Sequence, residues 1–120
     1  MRRLLVLAVC LLCAGLAQAQ DVKPSIEVDL WCGVAFDLAV RDVPETAAPE
    51  VKSVTDPYRA GADMLLGRAR AAYLEIGLTD DGFADLLSDT EDEVTRQLAS
   101  TDPAISPQHS FEACAALIGL

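Results

Sequence analysis

Any chemistry in this 120-residue chain would have to come from four cysteines, one histidine and a surplus of acids, 19 Asp and Glu against 9 Lys and Arg. Cys10 and Cys13 have the C-x-x-C spacing of a redox pair but lie inside an apolar N-terminal run. Cys32 and Cys114 are 82 residues apart, which excludes a vicinal dithiol. His109 stands alone, and one histidine with a bonded cysteine pair makes no zinc site. No G-x-S-x-G turn is present to raise a serine nucleophile. The acids from Asp80 to Glu93 follow a helical period, and Gly82 precedes most of them, unlike a calcium loop with its central glycine and closing glutamate. They read as a solvated helix face. Paired carboxylates for glycoside hydrolysis would need a cleft that so small a domain hardly offers. The expectation is no enzyme, no cofactor and no metal. The residues left as possible surface contacts are Trp31, large and bordering the outer side of its helix, and His109, placed in a loop or at a helix cap.

The chain opens as a secretory signal peptide does. Met1-Arg2-Arg3 is basic, Leu4 to Leu16 is apolar, and Ala17-Gln18-Ala19 is a small-x-small cleavage site. Residues 1–19 are therefore expected to be removed, with 20–120 as a single helical domain of 101 residues. Loss of Arg2 and Arg3 takes the net charge from −10 to −12. That charge disfavours nucleic acid and anionic membranes. The apolar run is too short to remain as a comfortable span, so no stable membrane insertion is expected after cleavage. Cys10 and Cys13 leave with the signal. Cys32 and Cys114 remain, an even number in an oxidising compartment, and are expected to pair. Closing so long a loop is worth about 4 to 5 kcal/mol in the chain-entropy model.

Stepping from those two sulfurs to the segments that must carry them gives four helices. Ile26 to Arg41 is apolar around most of its circumference, with a polar row of Asp29, Asp37 and Arg41 and Gly33 in the gap. A helix of that kind is enclosed by others. Pro24-Ser25 offers its start, with Ser25 as cap. Residues 42–56 read as a proline-punctuated crossover with room for a short helical turn around Pro49 to Ser53, and a binding loop as the alternative. Asp56-Pro57 reads as cap and first position of the second helix, whose stripe is Tyr58, Ala62, Leu65, Leu66, Ala69, Tyr73 and Ile76. Arg59 is expected to pair with Asp63, and Gly61 and Gly67 suggest a close neighbour. Gly77 ends that helix. Thr79 caps the third, with a buried stripe of Phe83, Leu86 or Leu87, Thr90, Val94 and Leu98. Ser110 caps a short last helix whose stripe, Phe111, Cys114, Leu117 and Ile118, turns its sulfur inward. The fold class is all-α: a small four-helix bundle with one disulfide, behind a cleaved signal peptide.

Two local patterns, Trp31-Cys32-Gly33-Val34-Ala35-Phe36 and Ser110-Phe111-Glu112-Ala113-Cys114-Ala115-Ala116-Leu117, resemble small secreted helical proteins of alphaproteobacteria with a cysteine on the first and last helices. The resemblance implies a single-disulfide bundle and brings no activity with it. A weaker likeness is to periplasmic acid-stress chaperones, which carry a W-x-C-x-x-F stretch on an early helix. Here tryptophan adjoins the cysteine, phenylalanine lies four residues on, and Lys23 and Lys52 are the only lysines. The resulting expectation is a periplasmic or secreted, non-enzymatic protein, monomer or weak dimer, that binds a small ligand or another envelope protein. An acid-activated chaperone loosened by loss of pairs such as Asp37–Arg41 and Arg59–Asp63 is the alternative, and a small hydrolase the third.

Overall fold

A computed structural model of the protein describes residues 23–120. The signal peptide expected over 1–19 lies outside the described residues. Within them the chain forms α1 (Pro24–Val40), α2 (Pro49–Glu75), α3 (Asp80–Ala99) and α4 (Phe111–Leu117), and no strand. α1 packs against all three others. Its run from Leu30 to Phe36 is buried without a break, as a helix apolar all round requires. Helix α1 begins one residue before the expected cap. Lys23 is the N-cap and Pro24 takes the first turn, where its fixed φ suits the helix and its missing N–H is no loss.

The polar row on α1 is an outer face only at its Asp37–Arg41 end. Asp29 accepts a two-pronged bond from Arg68 of α2, at 2.6 and 2.9 Å, which holds the guanidinium above its ordinary pKa. Gly33 is buried where α1 meets α2: a Cβ there would stand 2.9 Å from Leu66 Cγ and Cδ2. Further along, Arg41 pairs with Asp37, as the spacing predicts, and reaches across to Glu91 of α3 at 2.8 Å. Gly33→Ala is therefore expected to destabilise the protein by about 1 kcal/mol, overpacking outweighing the gain in helix propensity. Gly67, with nothing within 4 Å of an added Cβ, does not mark a close approach. Gly67→Ala should stabilise by about 0.5–1 kcal/mol. Urea unfolding of the two variants checks the opposite signs.

The largest departure from the sequence reading is the start of α2. Eight residues before Pro57, Pro49 opens the helix, so most of the expected 42–56 crossover is helical and Pro57 lies in the interior. The broken bond falls on an exposed side: Ser53, whose carbonyl loses its partner, faces water, as do Asp56 and Pro57. Arg59, two residues on, takes other partners than its spacing predicts. It does not bond Asp63. Its guanidinium donates to the carbonyls of Val40 (3.1 Å) and Val43 (3.0 Å) and pairs with Glu45 at 3.1 Å. One side chain thus closes the C-terminal end of α1 and pins the 41–48 loop against α2. Gly61 does meet a neighbour, though not a helix, since a Cβ there would stand 2.5 Å from Ile118 Cδ1.

The remaining boundaries follow their capping residues. Gly77, at φ +111°, ends α2 with Leu78 N–H donating to Tyr73 O and Gly77 N–H to Leu74 O. Thr79 Oγ1 accepts from Gly82 N–H at 3.0 Å, and Ser110 Oγ from Ala113 N–H at 3.0 Å. Four expected core positions are instead at the surface: Ile76, Leu98 and Phe111 are at least half exposed, and Leu117 is also exposed. On α3 the buried position is Gln97, one residue before Leu98.

Candidate functional site

The disulfide organises the one region where the sequence-predicted residues meet. Cys32 on α1 and Cys114 on α4 are bonded, with Cα atoms 5.3 Å apart, and both are buried. This fixes α4 on α1 and brings the preceding loop, with His109, over Trp31. The two rings meet edge-on, centroids 5.4 Å apart at 78°.

Neither ring is the surface group the sequence suggested. Trp31 is only 4% exposed, and His109 is half-buried, its Nε2 shut from solvent without a hydrogen-bond partner. The cause lies on α3. Trp31 Nε1–H donates to Gln97 Oε1 at 3.2 Å, which gives the indole a polar partner inside the protein. The same oxygen accepts from Gln108 N–H at 2.8 Å, which draws the 100–110 loop down beside His109. Gln97 Nε2–H in turn donates to Glu93 at 2.9 Å. Arg96 and then Gln97 hold the Glu93 carboxyl down to about 2. Gln97 therefore satisfies Trp31, the loop and Glu93 together, and its burial is what moves Leu98 outward. A polar residue in line with Val94 was the one sequence signal for it.

Two cavities flank the indole along α1. Toward the C-terminal end is an apolar notch of about 180 Å³, walled by Trp31 and His109, by Ala35 and Ala39 of α1, by Leu98 of α3 and by Phe111 of α4. Leu98 and Phe111, which left the core, form its rim. Phe111 also stacks on Phe36 and Tyr58, at 5.4 and 5.3 Å between centroids, so the rim is held by the core behind it. Toward the N-terminal end is a cavity of about 330 Å³ with Glu27, Leu30, Tyr73 and Asp89 in its wall. Burial, and then the charge of Glu27, raises the Tyr73 hydroxyl above its ordinary pKa. Tyr73 was read from sequence as core, and nothing in its spacing from Glu27, 46 residues, announces that the two share a wall.

Among the described residues no group of three His, Cys, Asp or Glu side chains is placed to hold a metal ion, and no helix is long and apolar enough to cross a membrane. Comparison with known family models, curated proteins and solved structures gave no match to this chain.

Proposed function

We propose that this is a non-enzymatic binding protein, exported to the periplasm or beyond, that holds one apolar group in the notch beside the disulfide. The notch is the observation that carries this. At about 180 Å³ it is close to an engineered apolar cavity of ~150 Å³ known to take benzene. Its walls offer ring edges and methyl groups from three helices, so an occupant needs no polar match there. The rim of Leu98 and Phe111 exposes apolar surface that the fold itself leaves unburied. Export is supported by the leader-like first residues and by the buried cystine, which suits an oxidising compartment.

Benzene is the direct probe. Trp31 is the only tryptophan, so a ¹⁵N spectrum holds a single indole N–H resonance, and it belongs to the notch wall. Benzene is expected to shift that resonance saturably. Ala39→Phe, which places a ring at the exposed mouth, should abolish the response while leaving the fold intact. A shift that never saturates, or one that survives Ala39→Phe, would sink the reading.

A further inference from the structure

The second cavity has a different chemistry. Its wall brings Glu27 and Leu30 from α1, Tyr73 from α2, and Leu86 and Asp89 from α3 up to the indole of Trp31. Glu27 and Asp89 are exposed carboxylates with no ion-pair partner among the described residues, unlike Glu93 below them, which is engaged by Arg96 and Gln97. Two acids alone would be a solvated face. Tyr73 makes the difference. It is 6% exposed, yet its hydroxyl has no hydrogen-bond partner among the described residues. Nor is that oxygen sealed off, as Arg59 Nε and His109 Nε2 are. It opens on the cavity near Glu27, whose charge it feels. A buried tyrosine ordinarily finds a partner for its hydroxyl. Here the partner position is the cavity itself.

We propose that this cavity binds a protonated primary amine carried on a short apolar stem. An ammonium has three N–H donors and no acceptor. The cavity presents the Tyr73 hydroxyl and the Glu27 and Asp89 carboxylates as acceptors, beside the Glu93 carboxylate that Arg96 and Gln97 already hold, and no cation among its lining residues. Leu30, Leu86 and the indole provide apolar wall for the carbon stem, and an aromatic neighbour favours a cation over an anion. The volume, about 330 Å³, lies at the small end of the ~300–1,000 Å³ range of ligand clefts, which suits a short chain. The net charge of −10 raises the local concentration of any cation before contact. This site is separate from the apolar notch and stands whether or not the notch is occupied.

The test titrates the disulfide-bonded ¹⁵N-labelled protein with butylammonium chloride, reading the Trp31 indole resonance, in parallel with tetramethylammonium, sodium and calcium chlorides at matched ionic strength. Butylammonium should give saturable binding that the others do not. Tyr73→Phe keeps the ring packed on Phe83 (centroids 6.1 Å apart) and removes only the hydroxyl. It should weaken binding about tenfold, the scale of one hydrogen bond to a charged group. Glu27→Gln with Asp89→Asn should weaken it by at least as much at low salt. Ala39→Phe, on the other side of the indole, should leave it unchanged. A capped lysine serves as the second arm. Binding tighter than butylammonium makes the source a lysine side chain of a partner, and weaker binding makes it a free amine. Equal responses to butylammonium and tetramethylammonium, tighter binding of calcium, or full affinity in Tyr73→Phe with a native far-ultraviolet spectrum would each overturn the proposal.

Discussion

Replacing both Cys32 and Cys114 with alanine is expected to lower the unfolding free energy by about 4 kcal/mol, read as a fall in the urea midpoint of the double variant. The bridge spans 82 residues, most of the folded domain, so without it the unfolded chain regains nearly all its freedom. Domains of this size hold roughly 5–15 kcal/mol in total, and the loss is a large part of that. Both sulfurs are in fully buried positions, with exposures of 0% and 1%. Alanine therefore leaves a small void as well, which adds to the loss rather than offsetting it. A double variant within 1 kcal/mol of the parent would show that helix packing alone holds the bundle.

Phe36→Ala should cost about 3–5 kcal/mol. The ring is fully buried at the centre of three: Tyr58 of α2 lies 5.3 Å away and Phe111 of α4 5.4 Å away, centroid to centroid. Its removal empties the junction of α1, α2 and α4 and loses two aromatic contacts, each worth about 0.5–1.5 kcal/mol beyond area burial. Phe111→Ala is the control. Phe111 is 56% exposed and sits on the rim, so its loss should cost about 1 kcal/mol. Thermal unfolding of the pair decides it: equal losses would mean that the rim, not the centre, carries the packing energy.

The parts of this fold that could be read from residues were those fixed by local chemistry. Thr79 and Ser110 cap helices because a hydroxyl beside free N–H groups has one obvious use. Gly77 ends α2 because the backbone there needs a positive φ. The disulfide was legible because each of two cysteines fell on an apolar stripe. What stayed hidden depended on partners far along the chain. Pro57 looks like a helix start because proline usually is one, and Arg59 looks paired with Asp63 until the carbonyls of Val40 and Val43 take its guanidinium. Trp31 looks half-exposed until Gln97, 66 residues on, supplies the bond that lets it be buried. The polar row of α1 looks like an outer face until Arg68 meets Asp29. The two cavities are products of those long-range choices, so neither could be drawn from spacing alone.

Helix α4 has seven residues, well below the ~12–15 at which a helix persists by itself in water. It meets α1 through the cystine and α2 through the ring of Phe111 on Tyr58. The order of the last ten residues is therefore borrowed from the cystine and from the rings that Phe111 meets, and so is the wall of the notch that Phe111 provides. How firmly that wall is held therefore depends in part on the reduction potential around the protein. A thiol-rich surrounding would leave the C-terminal segment held by Phe111 and Ile118 alone and loosen the apolar recess with it.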